Sequence, residues 1–137
     1  MLDEGEYERW IRSSRGALNS ARGDLERCEF NWACFKAQQS AEFAVKALLH
    51  GLGLPAYGHS VSGLLEKAPK DLGIQQINQE AKTLDKYYVP TRYPNAWVEG
   101  VPEDYYTRLD AENAVKCAEK IFNWVEASWR SLKREGS

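Results

Sequence analysis

The sequence is poor in the residues that mark metal-binding and disulfide-built proteins. Histidine occurs twice in 137 residues, at His50 and His59. Cysteine occurs three times, at Cys28, Cys34 and Cys117. No CxxC pair and no His-x-x-x-His pair is present, so no metal site is expected. An odd number of cysteines inside helical patterns points to free thiols in a reducing cytoplasm. Long apolar runs are missing as well. The opening MLDEGEYERW is acidic and short of the roughly 18 apolar residues a membrane span needs, and it lacks a signal-peptide pattern. Neither sign of charge dominates. Lys and Arg number 18 against 20 Asp and Glu, a net charge of -2, which supplies no global field for non-specific nucleic-acid binding. Strand alternation, internal repeats and low-complexity segments are absent too. What is present is a 43% apolar composition with a mean hydropathy of -0.59, that of a soluble globule. The length suits one domain, residues 1–137.

The organising stretch is residues 30–52, FNWACFKAQQSAEFAVKALLHGL. No proline interrupts it, and its one glycine, Gly51, stands at the end. Ala33, Ala37, Ala41, Ala44 and Leu48 recur at spacings of three and four and make a small-residue stripe. Phe35, Phe43, Val45, Ala47 and Leu49 put apolar groups on the other faces, so this helix is expected at the centre of the fold. Its polar residues fall together. Gln38, Glu42 and Lys46 lie one above another at i, i+4 and i+8, with Gln39 and His50 close by. Buried polar groups are costly unless hydrogen-bonded. The line is therefore either a binding site or an internal ion pair.

The flanking segments read as helices. Over 5–28, Tyr7, Ile11, Ser14, Leu18, Ala21, Leu25 and Cys28 form a heptad seam. Arg9, Arg12, Arg15 and Arg22 occupy its other faces, as a solvated face paired with Glu8, Asp24 and Glu26 or as a local phosphate patch. Gly51, Gly53 and Pro55 end the central helix, and 53–59 form a loop. Ser60 is placed to cap a short helix over 61–68, closed by Pro69. A fourth helix is expected from Gly73 to about Tyr88, where Pro90 stops it. Residues 89–103 hold three prolines, Arg92, Tyr93 and Trp97, an irregular stretch too aromatic for disorder. The last helix starts between Glu103 and Asp110 and runs to about Lys133. Its seam is Ala111, Val115, Ala118, Phe122, Val125, Trp129 and Leu132. The fold class expected is all-α, an up-and-down helical bundle of three long helices, one medium and one short. The two seams offer more apolar face than one such bundle needs, which predicts a homodimer.

Four segments in this order resemble the HEPN domain family: ACFKAQQSAEFAVKALL (33–49), GHSVSGLLE (58–66), LDKYYVPTRYP (84–94) and the closing amphipathic helix. The resemblance covers nearly the whole chain. It implies a bundle similar to the helical domain of kanamycin nucleotidyltransferase. It also implies a stand-alone protein, often dimeric, that binds a nucleotide or nucleic acid beside a minimal nucleotidyltransferase subunit. In that transferase the helical domain supplies a carboxylate base and a phosphate-binding lysine, parts that Glu42 and Lys46 would play. No cofactor is implied.

A second branch of the family consists of metal-independent ribonucleases and toxins marked by Arg, four to six residues, then His. Neither His50 nor His59 follows an arginine at that spacing, and after Arg92 the positions hold Trp97, Val98 and Glu99. No catalytic residue is therefore assigned. The candidate nucleotide-binding residues are Gln38, Gln39, Glu42, Lys46, His59, Arg92 and Tyr93. Lys46 and Arg92 can meet phosphate, the glutamines a base or ribose, and Tyr93 can cover the base. Three readings stand: an accessory binding subunit that is not an enzyme alone, a diverged ribonuclease toxin or RNA binder, and a structural dimerisation bundle.

Overall fold

The computed structural model describes residues 1–136. Five α-helices carry the chain: α1 (Glu4–Glu26), α2 (Phe30–Gly51), α3 (Val61–Leu65), α4 (Asn78–Asp85) and α5 (Arg108–Gly136). No strand occurs among the described residues. The fold is an all-α bundle with α2 at its centre, as its near-continuous apolarity requires. Fifteen of its 22 residues are buried, a burial that leaves one narrow face for solvent.

Helices α1 and α2 are antiparallel, joined by a turn of three residues. They approach closely at mid-length because both carry serine there. Ser14 Oγ donates to the Ser40 carbonyl at 2.6 Å, and Ser40 Oγ donates to the Ser14 carbonyl at 2.9 Å. The turn reverses at Cys28, whose φ of 62° is in the left-handed region. The first helix therefore ends at Glu26, two residues earlier than its seam suggests. Buried Asp24 anchors this end through ion pairs with Arg27 and with Lys36 of α2.

Helix α5 runs antiparallel to α1. Tyr7 stacks on Trp129 at 4.2 Å, Arg15 pairs with Glu126, and Arg22 pairs with Glu119. Thus two α1 arginines pair across the groove with α5, not with Glu8, Asp24 or Glu26 as their spacing predicts. Arg9 pairs with Glu6, and Arg12 makes no ion pair with a described residue.

The expected fourth helix is broken. Residues 70–76 form two 3₁₀ turns on either side of Gly73, whose φ is 77°. A helix cannot pass through a left-handed residue, so α4 starts only at Asn78 and ends at Asp85. The bundle has three long and two short helices in place of the medium one. The third helix is likewise shorter than 61–68. Ser60 caps it as expected, its Oγ accepting from the Gly63 amide at 3.0 Å. Asp85 accepts from the Val61 amide at 2.6 Å, so the end of α4 holds the start of α3.

Both heptad seams are consumed inside the protomer. Tyr7 to Ala21 on α1 and Ala111 to Trp129 on α5 are buried. Of the seam residues, Leu25, Cys28 and Leu132 keep exposure, so little surplus apolar face remains on the seams for a partner.

Candidate functional site

The loop before α5 folds back over the N-terminal half of α2. Buried Asn31 donates to the Thr91 carbonyl at 3.0 Å, and Thr91 Oγ1 donates to the Tyr87 carbonyl at 2.9 Å. Trp97 Nε1 donates to the Pro90 carbonyl at 2.7 Å and its ring stacks on Tyr105 at 4.0 Å. These bonds fix the loop and with it Arg92.

On α2, Glu42 is the hub. It is 3% exposed, and its carboxylate is shared by four partners. Lys46 Nζ donates to Oε2 at 3.0 Å. Gln38 Nε2 donates to Oε1 at 3.2 Å, and Gln39 Nε2 to Oε1 at 3.4 Å. His59 Nδ1 lies 3.2 Å from Oε1 and 3.3 Å from Oε2. Gln38 also donates to the His59 carbonyl at 2.9 Å, which docks the 58–60 loop on α2. The helical line read from the sequence thus closes on itself as an internal ion pair, with His59 as its outlet. The His59 side chain is 55% exposed.

From His59 the contacts continue through rings. His59 stacks on Tyr88 at 4.5 Å. The same tyrosine meets Arg92, whose guanidinium carbon is 4.7 Å from its centroid, 4.1 Å from Phe35 and 5.0 Å from Tyr93. Arg92 Nε donates to the Tyr88 carbonyl at 2.9 Å. No carboxylate among the described residues pairs with it, so its two terminal nitrogens keep their donors. A guanidinium held flat by three rings loses little freedom on binding an anion. The structure therefore joins all seven sequence candidates in one contact chain: Gln38, Gln39, Glu42, Lys46 and His59 by direct bonds, Arg92 and Tyr93 through Tyr88.

Four further residues belong to the same face. Phe35 and His50 extend the α2 line; His50 was already placed beside it, and the same spacing could have found Phe35. Tyr88 carried no distinguishing signal. Trp10 comes from α1. It stacks on His50 at 4.7 Å, meets Phe43 at 6.0 Å and lies 5.9 Å under Lys46 Nζ. Periodicity on α1 does not indicate that its ring reaches α2. Among the described residues, no cluster of three His, Cys, Asp or Glu side chains is suited to a metal ion. No described helix is long and apolar enough to cross a membrane.

Elsewhere burial raises several thiols and phenols. It pushes the Cys34 thiol up to about 12, with Asp110 adding to the shift. Tyr87 and Tyr106 are also raised to about 12, first by burial and then by neighbouring Cys34 and Asp110.

The HEPN domain family matches residues 7–128, and the chain belongs to that family. TT1696 from Thermus thermophilus is 43% identical, with a TM-score of 0.86 over 89% of this chain and 97% of that one. ST0689, an archaeal HEPN homologue, is also 43% identical, with a TM-score of 0.74 over 88% of this chain and 95% of its own. Human sacsin is 28% identical over 88% of this chain, which spans only 3% of sacsin's length. The protein named Putative toxin MJ1304, from Methanocaldococcus jannaschii, is 26% identical over 85% of this chain and 84% of its own.

Proposed function

We propose that the protein is a nucleotide- or polynucleotide-binding HEPN subunit acting with a minimal nucleotidyltransferase partner, with phosphate taken at Arg92. The observation that carries this reading is the state of Arg92: fixed by Phe35, Tyr88 and Tyr93 and by one bond to the Tyr88 carbonyl, yet paired with no described acid. His59 adds a second polar group within the same ring cluster, and exposed Tyr93 offers a face to a base. Lys46 is given a different role from Arg92. Its charge is spent on Glu42, so it holds the network and touches phosphate little. The reading includes a homodimer, which now falls to the outward apolar side chains Trp32 and Val89. Three free thiols suit a cytoplasmic setting.

Calorimetric titration with nucleoside mono-, di- and triphosphates, with and without the neighbouring transferase subunit, tests it. Arg92→Ala is expected to weaken binding at least tenfold while the fold persists. Binding untouched by Arg92→Ala places the site elsewhere.

A second reading, RNA cleavage, is favoured by one observation. Tyr88 brings His59 and Arg92 to one spot, although they are far apart in sequence and do not form the ribonuclease spacing. The relative named as a toxin points the same way.

A further inference from the structure

The outward face of α2 carries two cation–aromatic clusters, not one. The first is Arg92 among Phe35, Tyr88 and Tyr93, with His59 stacked on Tyr88. The second is Trp10, stacked on His50 and under Lys46. Between Phe35 and His50 the axis of α2 runs about 22 Å, at roughly 1.5 Å per residue. Gln39 and Phe43, both partly exposed, lie between the clusters on the same helix, so the two clusters belong to one continuous face.

We propose that the ligand of this face is a single-stranded polynucleotide laid along α2, engaging the Arg92 cluster at one end and the Trp10–His50 cluster at the other. The proposal rests on the binding reading above and narrows its ligand. A mononucleotide fills one cluster and leaves the second without a role. A duplex keeps its bases stacked inside and cannot offer them to rings, whereas a single strand presents a π-face at every base. A span of about 22 Å suits about four nucleotides, the low end of single-strand site sizes. Charge argues for the same chemistry. The chain is net acidic, and Lys46 is neutralised by Glu42, so stacking must supply most of the affinity. With one phosphate neutralised, by Arg92, log K is expected to fall with log salt at a slope of about -0.7, far shallower than for a basic nucleic-acid binder.

Fluorescence anisotropy with labelled oligouridylates of two and eight nucleotides, and with an eight-base-pair RNA duplex, tests it on the full chain. The octamer is expected to bind at least tenfold more tightly than the dimer, and the duplex no better than the dimer. Trp10→Leu keeps an apolar side chain but removes the ring. It should abolish the octamer's advantage while leaving dimer binding intact, a pattern that general unfolding does not produce. Equal affinity for octamer and dimer, or an octamer advantage that survives Trp10→Leu, overturns the track but leaves a nucleotide site at Arg92 standing. Tighter binding of the duplex overturns it too. Failure of both lengths to bind overturns the underlying binding reading, and the track falls with it.

Discussion

His59 Nδ1 sits 3.2 Å from Glu42 Oε1, and this contact ties an exposed loop to the least exposed charge on the central helix. It also orders the roles on the face. The Glu42 carboxylate is filled from within by Gln38, Gln39 and Lys46, and His59 is the polar group that meets it from the exposed loop. Arg92 stands apart from this network, touching it only through Tyr88. Stability and binding are therefore expected to separate along the same helix.

The first prediction follows from Glu42 and Lys46. Removing one member of a buried ion pair leaves the other charge uncompensated and costs about 3 kcal/mol. Glu42→Gln and Lys46→Met should each lower stability by roughly that amount. The double variant should lose much less than the sum, since neither charge remains. Denaturant melts of the four proteins of the cycle check it, and additive losses would mean that the pair is not coupled.

Arg92 behaves oppositely. Its guanidinium is partly exposed and forms no ion pair with a described residue, so Arg92→Ala should cost about 1 kcal/mol or less, the worth of one backbone hydrogen bond and partly solvated ring contacts. Thermal melts that drop as far as those of Glu42→Gln would make Arg92 a structural tie for its loop.

Buried Cys34 and partly buried Tyr87 and Tyr106 contribute to alkaline stability, with Tyr7 and Cys117, likewise raised by burial, adding to it. The folded values of about 12 for Cys34, Tyr87 and Tyr106 stand above the ordinary 9.0 for a thiol and 10.0 for a phenol. Between those limits the unfolded chain binds fewer protons than the folded one, so stability must fall as pH rises. It is fully present below about pH 9 and lost progressively toward about pH 12. Melting midpoints across that window should decline, and Tyr87→Phe should flatten the decline. Thiol chemistry gives a companion readout. In the native protein at mildly alkaline pH only exposed Cys28 should react, and all three cysteines should react after unfolding.

Gly51 is required by the stack it lies beneath. A Cβ at this position would stand 2.5 Å from Trp129 Cζ3 and 3.1 Å from Tyr7 Cβ. Gly51→Ala must push the Tyr7–Trp129 pair apart, and overpacking of this kind costs about 1–3 kcal/mol. A melt equal to wild type would show that the end of the bundle is looser than the stack implies.

Purified protein is expected to leave RNA intact, because no arginine precedes a histidine at the ribonuclease spacing. The assay also decides the second reading. Metal-independent cleavage lost in both His59→Ala and Arg92→Ala would establish that tertiary contact at Tyr88 replaces the sequence motif. Light scattering on the same samples reads the mass, and a value near 15.6 kDa at micromolar concentration would remove the homodimer.

The sequence determined whatever depends on neighbours within one helix. The alanine stripe of α2, the Ser60 cap and the Gln38–Glu42–Lys46 line are spacings of three and four, and helical geometry converts them directly into faces and contacts. The same logic failed at Gly73, where a three-four pattern of Ile74, Ile77 and Ala81 continued but the backbone turned left-handed. Side-chain period says nothing about φ at a glycine. The family's motifs were also legible, because they too are local runs. Only the tertiary structure decided which faces meet. It buried both heptad seams inside the protomer, sent Arg15 and Arg22 to acids on α5, and carried Trp10 onto His50. It also brought His59 and Arg92 to the same ring, Tyr88. Those pairings depend on how three helices and two loops share a common interior, and burial selects among them by the total apolar area removed from water, a quantity that no single segment contains.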